Sequence, residues 1–175
     1  MNKKIEDLLD INSVSREAFE ETVYCTLLNG VFETICREIK RSGKKAEELA
    51  RFRNSKDHIL VTKGIVKRYA KCQLNEQEYK YIYRLLRSFF NKKAIRNDIP
   101  DTIKIDLLKQ QKMVCPYCKE KITLKDSHLD HIVPWEYVGD ELSDNYQMLC
   151  SRCNERKGAS PLFEFSMILY NTINR

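Results

Sequence analysis

Apolar residues recur at helical spacing through the first hundred positions. Phe19, Val23, Leu27, Val31, Ile35 and Ile39 fall every four residues, with Tyr24, Leu28 and Phe32 beside them. The spacing predicts a long helix over residues 14–41. Glu17, Glu20 and Glu21 in its first turns, and Lys40 and Arg41 in its last, complement the helix dipole. Gly43 is a natural stop. A shorter helix follows from Lys45 to Arg53, and Asn54-Ser55 breaks it. His58 to Thr62 would suit a strand, but Val66, Tyr69 and Ala70 favour a helix over 57–72. Asn75 followed by Glu78 forms a capping-box pattern. The helix it starts carries Tyr79, Ile82, Tyr83, Leu86, Phe89 and Phe90 on one side, and Lys80, Arg84 and Arg87 on another. Asn97-Asp98-Ile99-Pro100 reads as a junction, and Pro100 suits the first turn of a helix running to about Gln111.

The pattern then changes period. Lys121 to Lys125 reads as a short strand, and His128 to Val133 as the first strand of a hairpin that Pro134 ends. Residues 135–144 read as a long polar loop around Trp135 and Tyr137. Tyr146 to Leu149 is the second strand, and Ser151 to Gly158 a short helix. The expected class is α+β, mainly α, with a helical domain over 1–100 and a small module over 101–175.

Composition adds limits. The chain has 175 residues, 42% of them hydrophobic, enough for a core. No apolar run approaches the roughly 20 residues of a membrane span, and no signal-peptide pattern opens the chain. Seven cysteines, an odd number, argue against a disulfide framework and for the cytoplasm. Cys25, Cys36 and Cys72 read as buried small side chains. The net charge of +6 is unevenly spread. Residues 1–39 balance to −4, residues 40–96 to +12, and residues 97–175 to −2. The basic segment is either a polyanion-binding surface or a set of solvated lysine-rich faces.

The remaining cysteines carry the chemistry. Cys115-Pro116-Tyr117-Cys118 and Cys150-Ser151-Arg152-Cys153 are two tight pairs. Four thiolates close a tetrahedral structural zinc site with no open position. Between the pairs lies Leu129-Asp130-His131-Ile132-Val133-Pro134, and after them Asn154-Glu155-Arg156-Lys157-Gly158. A hairpin alone is marginal in water, and one zinc joining both ends would supply the missing stability.

Residues 115–158, with the cysteine pairs, Asp130-His131, Asn145 and Asn154 through Lys157, resemble the HNH endonuclease family, the zinc-knuckle branch of the ββα-metal nucleases. The resemblance implies His131 as general base and Asp130 with Asn154 as ligands of one Mg²⁺ or Mn²⁺. It implies Asn145 as the residue that ties down the loop and orients His131, and Lys157 and Arg156 as phosphate contacts. Lys80, Arg84 and Arg87 would add contacts from the helical part. Where the family often has a third-position His, this chain has Asn154. An amide oxygen favours hard cations over softer transition metals, so Ni²⁺ should rescue poorly. The implied function is DNA phosphodiester hydrolysis leaving 5′-phosphate and 3′-hydroxyl ends, in restriction or anti-phage defence. Double-stranded DNA is the expected substrate, and the amino-terminal helices are a candidate surface for a protein partner or a second copy. Two rivals stand beside it: an RNA-directed nuclease toxin, and a non-catalytic zinc module that only binds nucleic acid.

Overall fold

A computed structural model describes residues 3–11 and 15–158. Its elements in chain order are α1 (Lys3–Ile11), α2 (Arg16–Ser42), α3 (Lys45–Asn54), α4 (His58–Tyr69), α5 (Glu76–Asn91), α6 (Asp101–Gln110), β1 (Ser127–His131), α7 (Trp135–Val138), β2 (Tyr146–Cys150) and α8 (Ser151–Lys157). The described residues are mainly helical, with one two-stranded antiparallel sheet among them. No described helix is long and apolar enough to cross a membrane. The described chain divides into two compact units. One takes residues up to Leu27, Asp98–Ile132 and the residues from Tyr146 on; the other takes Leu28–Asn97 and Val133–Asn145.

The helical unit, Leu28–Asn97 with Val133–Asn145, buries one core. Phe32, Ile35 and Ile39 of α2 meet Phe52, Ile65, Ile82, Leu86 and Phe89 there. The edge-on contact of Phe32 and Phe89, at 6.4 Å between centroids, is a favourable aromatic geometry. Helix starts are defined locally. Asp57 Oδ1 accepts from the Ile59 and Leu60 N–H groups, both at 2.9 Å, so residues from His58 become a helix rather than a strand. At α5 the box closes both ways: Glu78 N–H donates to Asn75 at 3.0 Å, and Asn75 N–H to Glu78 at 2.6 Å. Glu48 is wholly buried, but Arg68 (2.7 Å), Arg51 (3.2 Å) and Tyr69 (2.8 Å) satisfy its carboxylate.

Two expectations change, one along α2 and one in residues 133–145. The buried face of α2 runs Leu28, Phe32, Ile35, Cys36 and Ile39, not the four-residue stripe. Four residues turn a helix by about 400°, so a strict four-residue repeat drifts about 40° per step and leaves any single face. Leu27 is accordingly 64% exposed and Tyr24 48% exposed. Cys36 is buried as expected, whereas Cys25 is exposed on the same helix. The stretch expected as a polar loop also contains the helical turn α7, and Val133, Val138 and Leu142 enter the helical core.

The other unit is built on the hairpin. β1 pairs with β2 in the register Ser127↔Cys150, Leu129↔Met148, Asp130↔Gln147 and His131↔Tyr146. Its core gathers Leu108, Cys115, Tyr117, Ile122, Met148, Leu149 and Cys153. Gln111, just past α6, completes the ladder. Its side-chain nitrogen donates to the Met148 carbonyl at 2.8 Å, and its oxygen accepts the Met148 N–H at 2.7 Å. The amide thus replaces a third strand on that edge of β2. Lys121 to Lys125 is not a strand. Only an isolated bridge joins Val114 to Lys121, and Asp126 turns the backbone by accepting from Thr123 N–H and Oγ1. α1 is short and carries Ile5, Leu8 and Leu9 at helical spacing; its one buried apolar residue among those described is Leu9.

Candidate active site and zinc centre

Turn geometry brings the four cysteines together. The thiols of Cys115, Cys118, Cys150 and Cys153 all lie within 4.8 Å of one another. A zinc ion with Zn–S bonds of about 2.3 Å needs sulfurs about 3.8 Å apart, and Cys118 and Cys150 are at 3.6 Å. The cluster can hold zinc with every position filled by sulfur. Burial pushes the Cys118 and Cys153 thiols up, and hydrogen bonds among the thiols add to it. Burial also raises Cys115, but backbone N–H groups of Cys118, Cys150 and Tyr117 outweigh it and leave that thiol below its ordinary value. A divalent cation held there would bind all four as thiolates. Arg152 on α8 pairs with Glu120 at 2.6 Å, tying the two knuckles together.

On the hairpin, Asp130 and His131 are the last two residues of β1. Asp130 is held by charge and by register. Lys157 Nζ lies 3.1 Å from its Oδ1 and 3.0 Å from its Oδ2. Gln147, opposite it on β2, donates to Oδ2 at 2.8 Å. The Lys157 side chain is 2% exposed and that of Asp130 11%. The same ammonium donates to the His131 carbonyl at 2.7 Å, so one lysine fixes both residues of the pair. His131 is buried, with its ring edge-on to Tyr146 at 5.0 Å. Asn154 is half-buried on α8, three residues before Lys157. Lys157, on the same helix, is the residue of α8 that reaches β1. His128 is exposed and pairs with Ser151 Oγ at 3.1 Å.

The other expected positions have these surroundings. In the helical unit, Asn145 is buried. Its Oδ1 accepts Val133 N–H at 2.7 Å and its Nδ2 donates to the Val133 carbonyl at 2.8 Å, which closes the 133–145 segment at its base. Arg84 pairs with Asp144 at 2.6 Å, and Lys80 with Glu76 at 2.9 Å. Arg87 is exposed on α5, and Arg156 is exposed on α8 of the hairpin unit. Lys157, expected at phosphate, has its ammonium in the interior instead. Three residues had no assigned part in the sequence reading: Gln147, Tyr117 and Gln111. The hairpin register, unknown beforehand, is what aligns Gln147 with Asp130.

Comparison with known proteins bears on this arrangement. Residues 115–160 match the family model described as HNH endonuclease. The segment is an HNH endonuclease domain. It covers roughly a quarter of the chain. Over 55 residues, 31% of this chain, the sequence is 38% identical to the CRISPR-associated endonuclease Cas9 of Corynebacterium diphtheriae. The matched stretch is 5% of that protein, so the chain spans a small fraction of the curated relative it matches. No solved structure matches the chain.

Proposed function

We propose that this chain is a metal-dependent endonuclease that hydrolyses DNA phosphodiester bonds. The observation that carries the reading is the setting of Asp130. A hairpin register and a buried lysine hold its carboxylate fixed beside His131, inside an HNH segment. Asp130 and Asn154 together offer a carboxylate and an amide oxygen, the hard donor set that Mg²⁺ or Mn²⁺ prefers. When bound there, the ion would offset charge on the scissile phosphate and the departing 3′ oxygen. His131 takes the proton from the attacking water through its imidazole. Tyr146 packed edge-on keeps that ring from turning away, and Lys157 on the His131 carbonyl fixes the backbone beneath it. Asn145 supports the connection that begins two residues after His131. Arg156, exposed on the same helix as Asn154, offers a phosphate contact.

In this reading residues 1–100 dock nucleic acid or a protein partner, and residues 101–175 cut. The relative is named a CRISPR-associated endonuclease, and a role in restriction or anti-phage defence fits that likeness. The cytoplasm suits a chain whose thiols must stay reduced for zinc.

The test is cleavage of supercoiled plasmid, single-stranded DNA and total RNA by the purified chain, with Mg²⁺ and with chelator. Mg²⁺-dependent cutting of the duplex, with 5′-phosphate and 3′-hydroxyl ends, is the expected result. His131→Ala should lower the rate by about 100- to 10,000-fold, the usual worth of a general base, with an unchanged circular dichroism spectrum. Cutting of RNA alone would transfer the assignment to an RNA nuclease. Binding without cutting under Mg²⁺ and Mn²⁺ would leave a zinc module that only binds.

A further inference from the structure

We propose that Gln147 and Tyr117 are positioning residues that set the divalent-ion affinity of Asp130 from the zinc knuckle. The proposal rests on Asp130 being a cation ligand. Gln147 Nε2 donates to Asp130 Oδ2 at 2.8 Å and to the Tyr117 hydroxyl at 3.0 Å, which uses both N–H bonds of the amide. Gln147 and Tyr117 are each 8% exposed, so water competes little for these bonds. Tyr117 lies inside the first knuckle, between Cys115 and Cys118, whose thiols both belong to the four-sulfur cluster. An ion on the four thiols therefore fixes the phenol, the phenol fixes the amide, and the amide fixes the carboxylate.

The chemistry of the two donors to Asp130 differs. Lys157 brings a full positive charge, which opposes a divalent ion at the same oxygens. Gln147 is neutral, so it leaves the carboxylate charge intact while restricting its rotation. A ligand already held in its bound orientation loses less freedom on binding. Gln147 should therefore raise metal affinity, and its hydrogen bond can persist when the ion is present. It occupies one of about four lone-pair positions on the carboxylate.

The experiment is titration of the zinc-loaded full chain with Mn²⁺, read by the electron paramagnetic resonance signal of free Mn²⁺. Gln147→Leu should weaken the binding of one Mn²⁺ by about 10- to 100-fold, the usual effect of losing a partner of a metal ligand. Zinc content should be unchanged. Tyr117→Phe should weaken Mn²⁺ binding in the same direction by less. Cleavage by either variant should climb back toward the wild-type rate at saturating Mg²⁺; a merely structural defect would lower it at every Mg²⁺ concentration. Asp130→Ala should lose the Mn²⁺ site. If Asp130→Ala loses it but Gln147→Leu binds as wild type does, the positioning role is overturned and the ligand assignment survives. If Asp130→Ala binds Mn²⁺ unchanged, the ligand assignment fails and the proposal with it. Should Gln147→Leu lose zinc, Tyr117→Phe decides: wild-type affinity there overturns the proposal.

Discussion

Lys157 shows what a sequence motif conceals at the scale of one residue. Its place after Asn154 suggests a phosphate contact, yet its ammonium is buried against Asp130 and the His131 carbonyl. Removing one partner of a buried ion pair leaves the other charge uncompensated. Lys157→Met should therefore cost about 3–5 kcal/mol of folding free energy, measured by urea denaturation. The double variant Asp130→Asn with Lys157→Met should recover part of that loss. A Lys157→Met loss below about 0.5 kcal/mol, the level of an ordinary surface change, would contradict the pairing. The cysteine cluster was readable because the ligand spacing within each pair is local. The Gln147–Tyr117 contact was not, because it exists only once a hairpin register is chosen.

At the scale of elements, helices with local signals were legible. α5 falls where its apolar spacing and capping residues put it, and α3 covers the stretch expected for it. Replacing the α5 cap, Asn75→Ala, should cost about 1 kcal/mol, seen as a lower denaturation midpoint; an unchanged midpoint would deny the box any role. α7 was hidden for the opposite reason. Its partners come from helices distant in sequence, and nothing local distinguishes Val138 and Leu142 from loop residues. The hairpin has only five residues per strand, too little to stand in water alone. Zinc chelation should therefore release amide protection in β1 and β2 while the helical unit, with its own core, keeps its protection. Hydrogen exchange read by mass spectrometry checks this. Equal protection with and without chelator would remove zinc from the account of stability.

At the scale of the whole molecule, the charge of residues 40–96 is partly used internally. Lys40, Lys80 and Arg84 have acidic partners at 2.7, 2.9 and 2.6 Å. These pairs are exposed and each is worth little, so they leave cations available to a polyanion. If Arg87 contacts phosphate, Arg87→Glu should weaken DNA binding alike on all sequences and reduce the salt slope by roughly one. An unchanged slope would move the docking surface off α5. The basic segment itself was plain in the sequence; which cations face acids within the fold was not. The chemistry proposed for this protein needs Asp130 and Asn154 to reach one ion, and crystals of the zinc-loaded chain soaked in Mn²⁺ test that directly. Anomalous scattering should show a single manganese about 2.1 Å from an Asp130 oxygen and from the Asn154 amide oxygen, the bond length of a hard cation to oxygen. A manganese peak elsewhere, with Asp130 still closed onto Lys157 and Asn154 turned away, would contradict it.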